Sequence, residues 1–124
     1  MSRNHQQEYV AGIKALCREK NAVILCHNYQ PGEIQDIADF VGDSLELSVK
    51  ASTLVEPVIV FCGVRFMAET AKILSPEKTV LLPRYDAGCP MADMADAAAL
   101  RQLKAQHPDA VAACYVNITA EAQT

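Results

Sequence analysis

Three clusters of residues carry side chains capable of chemistry. Cys89 stands in Ala87-Gly88-Cys89-Pro90, where glycine lets the backbone approach a partner closely and proline fixes the following turn, a setting suited to a thiolate ligand. His27-Asn28-Tyr29-Gln30 follows an apolar run directly, so two of its side chains can point into a cleft at the run's end. His supplies a proton that exchanges near neutral pH and Tyr a phenolic donor, although a plain polar turn accounts for the same residues. Gly42-Asp43-Ser44 precedes a helical pattern. The free backbone N–H groups of a helix start favour a carboxylate or phosphate there, and Asp43 acting only as a cap explains the same residues.

The other four cysteines, Cys17, Cys26, Cys62 and Cys114, lie on an amphipathic helix or within and at the ends of apolar runs. Five cysteines with no CxxC pair fit neither a disulfide framework nor a zinc finger, so reduced thiols are expected. A [4Fe–4S] cluster needs several thiolates, and one suitably placed cysteine does not hold it alone.

Helix-like and strand-like segments alternate around these clusters. Val10, Ile13 and Cys17 keep helical spacing between Gln7 and Lys20, and Ala22-Val23-Ile24-Leu25-Cys26 reads as a buried strand. Ile34, Ile37, Ala38 and Val41 fall at i, i+3, i+4 and i+7, which predicts an amphipathic helix. Asp43 and Glu46 form a capping-box pair that opens another helix, ending near Thr53. Strands are expected at Val58–Phe61, Thr79–Leu82 and Ala110–Val116, with helices over Phe66–Leu74 and around Ala97, Leu100 and Leu103. Asn117 or Thr119 would cap a last helix beginning near Ala120.

Near-continuous apolar strands joined by helices predict an α/β fold, a parallel sheet flanked by helices in three layers, α/β/α. Ligands of such sheets gather at the carboxyl ends of the strands. That rule selects His27 to Gln30, Gly63 to Arg65, Pro83 to Cys89 and Asn117 to Thr119, the segments richest in chemistry.

Bulk properties narrow the function. The 124 residues include 51% hydrophobic and 21% charged ones, enough for a single domain with a real core that needs no metal or disulfide to fold. The net charge is −4 and the eleven Lys and Arg residues are scattered, which argues against nucleic acid as a partner. No run approaches the ~20 apolar residues of a membrane span, and the polar start Met1 to Glu8 is unlike a signal peptide, so a cytoplasmic location is expected.

Cys26-His27-Asn28-Tyr29-Gln30, Gln35-Asp36-Ile37-Ala38-Asp39 and Gly42-Asp43-Ser44-Leu45 together resemble the opening motif of the quinolinate synthase family. Val60 to Leu74, Ala87 to Met94 and Tyr115 to Glu121 are similar to later motifs of that family, in the same order. The resemblance covers roughly Asn21 to Ala122. It departs from the family at Cys26 and Cys62, where a small residue such as Ala is expected, and in length.

The resemblance implies that residues 1–124 form the first of three similar α/β domains, the second and third being absent from this chain. It implies an enzyme of the transferase class that condenses iminosuccinate (iminoaspartate) with dihydroxyacetone phosphate to quinolinate in de novo NAD biosynthesis. Phosphate and water are lost. A central [4Fe–4S] cluster, with one cysteine from each domain, would act as Lewis acid, and L-aspartate oxidase would be a functional partner. Residue by residue, Cys89 becomes the metal ligand. His27, Ser44, Tyr115, Val116 and Asn117 become substrate contacts, and Tyr29 with His27 the catalytic pair. Asp43, Met67 and Glu69 are expected to line or brace the site. Two further readings fit the same elements, a flavodoxin-like binding domain that retains only the anion site and a structural α/β module.

Overall fold

The computed structural model describes residues 3–123. Helix α1 (Arg3–Lys20) leads into β1 (Ala22–His27), and a short α2 (Gly32–Gln35) into β2 (Phe40–Gly42). Next come α3 (Ser44–Thr53), β3 (Val58–Cys62), α4 (Arg65–Leu74) and β4 (Thr79–Leu81), then a 3-10 turn at Ala92–Met94, α5 (Ala97–Gln106) and α6 (Ala120–Gln123). The four strands pair in the order β2-β1-β3-β4, every pair parallel, as the continuous apolar runs require. Helices flank the sheet on both faces, giving the expected three-layer α/β/α arrangement.

Side-chain alternation along the strands divides the two faces. Val23 and Leu25 of β1 and Ile59 and Phe61 of β3 join Leu47 and Ala51 of α3 and Phe66, Met67 and Ala71 of α4 in the main core. Leu25, Ile59 and Phe61 are fully buried, so this layer is the rigid base of the molecule. On the other face α1 turns its half-buried Val10, Ile13 and Cys17 inward. It ends at Asn21, whose φ of 50° is the left-handed conformation that asparagine tolerates in place of a C-terminal glycine.

Two expected elements differ. The periodic stretch from Ile34 to Val41 is not one helix: only Gly32–Gln35 is helical, and Phe40–Gly42 is strand β2. The cause is Asp39. Its side chain accepts the backbone N–H of Ile24 at 2.7 Å, and its own N–H donates to the Ile24 carbonyl at 3.0 Å. These bonds satisfy the outer edge of β1 and draw the chain into the sheet, where the ladder outweighs the helical spacing. The expected strand Ala110–Val116 does not form. Val111 is 93% exposed, and packing resumes only at Ile118, which joins Ala97 and Ala122 in a small separate cluster. A β-prone run gains nothing from extension without a neighbour to accept its hydrogen bonds.

Candidate functional site

The carboxyl ends of β1 and β3 open onto a cavity of about 370 Å³. His27, Tyr29, Ser44, Cys89, Tyr115 and Asn117 all line it, brought together from four separate segments of the chain. Val116 does not. It borders a larger cavity of about 800 Å³ between α5, α6 and the 112–116 run, which it shares with Tyr115.

His27 is the last residue of β1 and is buried. The N–H of Tyr29 donates to its Nδ1 at 3.2 Å, so in the neutral ring the proton sits on Nε2. Burial lowers the imidazole's pKa below its ordinary 6.5, against a smaller opposing pull from the Asp43 carboxylate. His27 is therefore a neutral hydrogen-bond donor near pH 7. Tyr29, by contrast, is 90% exposed at the rim, with its ring edge-on to the imidazole at 4.9 Å. Its phenol is free to meet a ligand.

The turn that carries both is held by a residue whose role the sequence did not signal. The Gln35 side-chain amide donates to the carbonyls of Asn28 and Gln30 at 3.1 and 2.8 Å. A glutamine seven residues away on an adjoining helix has no spacing signature of its own.

Ser44, buried, opens α3 beneath the cavity. Asp43 accepts from the Glu46 N–H at 2.8 Å and Glu46 from the Asp43 N–H at 2.9 Å, the capping box expected from the sequence. Gly42 leaves room for it: a Cβ there would stand 2.9 Å from Glu46 Oε2, so the carboxylate would have to shift. The Asn117 Oδ1 atom is buried and accepts no hydrogen bond among the described residues. A buried acceptor left without a partner costs free energy unless a ligand or water donates to it, and this one belongs to a cavity-lining residue.

Residues 11–124 match the family model of the quinolinate synthetase A protein, NadA. The chain belongs to the quinolinate synthase family. It is 65% identical over 109 residues to a quinolinate synthase of Dehalococcoides mccartyi, covering 88% of this chain and 36% of the relative. Against the quinolinate synthase of Aquifex aeolicus the identity is 55% over 121 residues, 98% of this chain and 38% of the relative. For Geobacter sp. it is 58% over 115 residues, 93% and 38%. The chain thus spans little more than a third of the length of these relatives.

The family expectation of an iron–sulfur cluster can be set against the donors present. Cys89 is half-buried in the cavity wall, reachable and soft, and fits the part of a single ligand. The remaining thiols lie elsewhere: Cys26 and Cys62 are register partners in β1 and β3, Cys17 approaches them from α1, and Cys114 is exposed. Among the described residues no group of three His, Cys, Asp or Glu side chains could hold a metal ion. None of the described helices is long and apolar enough to cross a membrane.

Proposed function

We propose that this chain forms part of the active site of a quinolinate synthase, joining iminosuccinate to dihydroxyacetone phosphate to build quinolinate for NAD synthesis. The reading rests chiefly on one observation: six residues selected by the family motifs line a single cavity at the carboxyl ends of the strands. Iminosuccinate carries two carboxylates and an imine, and the cavity offers matching groups. His27 Nε2–H and the Ser44 hydroxyl at the start of α3 suit a carboxylate, while the unpartnered Asn117 Oδ1 suits an N–H of the substrate.

Tyr29 is the acid–base group in this reading. Its phenol stands at the rim and can give a proton to a leaving hydroxyl, and the phenolate so formed can take one from carbon. His27 cannot serve as base at Nε2 while Tyr29 N–H occupies Nδ1, so it binds and orients. Cys89 would be this chain's ligand to a [4Fe–4S] cluster, whose chemistry when bound is that of a Lewis acid toward a substrate oxygen. The other ligands would come from two further domains of the same kind, and an L-aspartate oxidase would supply the imine. A cytoplasmic setting, where thiols stay reduced, suits this chemistry.

A chimera tests the proposal: this chain replaces the matching residues of the Dehalococcoides mccartyi quinolinate synthase, and the product is reconstituted anaerobically with iron and sulfide. Quinolinate formed from iminosuccinate and dihydroxyacetone phosphate is the expected outcome. A chimera that folds and loads its cluster yet forms no quinolinate would sink it.

A further inference from the structure

Behind Cys89 lies a second cavity of about 420 Å³, bordered by Arg65, Glu69, Tyr85 and Thr119 and sharing Phe66, Gly88 and Cys89 with the first. Glu69 stands between the loop that carries Cys89 and the start of α6. Its Oε1 accepts from Arg65 Nε at 2.7 Å, and its Oε2 accepts from the backbone N–H of Ala120, fifty-one residues along the chain, also at 2.7 Å. Arg65 in turn binds the Cys89 loop twice. Its backbone N–H donates to the Ala87 carbonyl at 2.9 Å, and its guanidinium lies 4.4 Å from the Tyr85 ring centre.

The carboxylate thus links the two sides, directly at Ala120 and through the Arg65 guanidinium on the side of the Cys89 loop. Glu69 rides on α4, whose Phe66, Met67 and Ala71 are sunk in the core, so its own position is fixed. Ala120 begins a helix of only four residues, too short to hold itself, which follows directly on the turn carrying Asn117. Two donors converge on one side chain. A carboxylate can accept from both at once, whereas a carboxamide of the same size has one oxygen for two donors and must release one.

We propose that Glu69 is a positioning residue that fixes the Cys89 loop and the Asn117 turn relative to each other and so sets the shape of the cavity between them. Its bearing on catalysis rests on the function proposed above; its structural effect does not. Glu69 does not line the 370 Å³ cavity, so it acts through the residues it holds.

The test uses Glu69→Gln in the 124-residue chain, read by amide hydrogen exchange. The Ala120 N–H should exchange at least tenfold faster, and the Cys89 thiol should alkylate at least threefold faster relative to Cys114. The amides of Ile59 and Phe61 should be unchanged. Ala120→Pro, which removes the N–H at a helix position that tolerates proline, should loosen Asn117 while leaving Cys89 alkylation as it was. Ala120 exchange within twofold of the parent, or equal acceleration at Ile59 and Phe61, overturns the inference, the latter by reducing Glu69 to a general stabiliser. In the active chimera, Glu69→Gln should lower kcat/KM for iminosuccinate at least tenfold with cluster content unchanged. A chimera that folds and loads its cluster yet is inactive before any substitution refutes the functional reading and leaves the exchange result to judge this one.

Discussion

The backbone N–H of Tyr29 donates to Nδ1 of His27 across 3.2 Å, and this one bond separates the roles of two residues that stand two apart in the sequence. It leaves the imidazole a donor at Nε2 and the phenol untethered. The tautomer is directly observable: long-range proton–nitrogen correlation at pH 7.5 should show His27 Nε2 protonated and Nδ1 bare. A predominant Nδ1–H form would remove the basis for the division of labour.

The same site predicts a pH dependence of stability. Burial holds the folded His27 pKa below 6.5, with Asp43 opposing, so the unfolded chain binds the proton more readily. The linked stability is complete above about pH 6.5 and declines as the pH falls from there toward the folded-state pKa. Denaturant midpoints should therefore fall between pH 7 and pH 5.5. His27→Gln should flatten the decline, and an equally steep curve in that variant would assign it to other groups.

Tyr29→Phe separates stability from activity. With the side chain 90% exposed, the unfolding free energy should shift by no more than about 0.5 kcal/mol. In the chimera, turnover should drop by ~10²–10⁴ with normal iron content, the usual cost of losing a general acid or base. Unchanged turnover would make Tyr29 a wall of the cavity and nothing more.

The sequence made the site more legible than the sheet. Val10, Ile13 and Cys17 turn inward on α1, and Asp43 with Glu46 forms its box, because both patterns are satisfied within a few neighbouring residues. The strand-end rule also found the cavity, since it depends only on where apolar runs stop. Phe40–Gly42 was hidden because the bonds from Asp39 to Ile24 bridge fifteen residues and override a sound helical period. Ala110–Val116 misled in the opposite sense: its composition suits a strand, but β propensity carries no information about whether a neighbouring strand is there to pair with. Gln35 was illegible as a clamp because its partners are backbone carbonyls of the neighbouring turn, and Glu69 was expected to line or brace the site only through the family resemblance, its partner Ala120 lying fifty-one residues away.

The five thiols should react in an order set by burial. Burial pushes the Cys62 thiol up to about 11 from an ordinary 9.0, with smaller contributions from Cys26 and Cys17, and burial raises Cys26 as well. Since the thiolate is the nucleophile, two units cut its population about 100-fold. Iodoacetamide at pH 7.5 should label exposed Cys114 first and Cys26 and Cys62 last, as peptide mapping would resolve. Early labelling of Cys62 would show that the sheet's α1 face opens in solution.

Core and cap set the scale of local stability. Leu47, 1% exposed between α3 and the sheet, should cost ~2–5 kcal/mol when cut to Ala, whereas Asp43→Ala should cost only ~1 kcal/mol for the lost cap. Chemical denaturation of the two variants checks the ratio. A cap loss as large as the core loss would mean that Asp43 supports more than the start of α3.

Residues 1–124 alone should bind no stable [4Fe–4S] cluster. A cubane with one open iron still needs three thiolates, and the cavity wall of this chain offers Cys89 only. Cys26 and Cys62 are neighbours in register, yet their raised pKa values disfavour the thiolate a metal requires, and Cys26 is fully buried. Cys114 is exposed on the chain that failed to become a strand and lines a different cavity. Anaerobic reconstitution followed by gel filtration, with iron, sulfide and the broad visible absorbance measured on the eluted protein, is the direct check. Iron and sulfide well below one cluster per chain are expected. A brown species that elutes as a trimer and is lost in Cys89→Ala would show instead that three copies can each lend their Cys89 to one cluster, whereas a brown monomer would place the ligands among the cysteines that the fold sets apart.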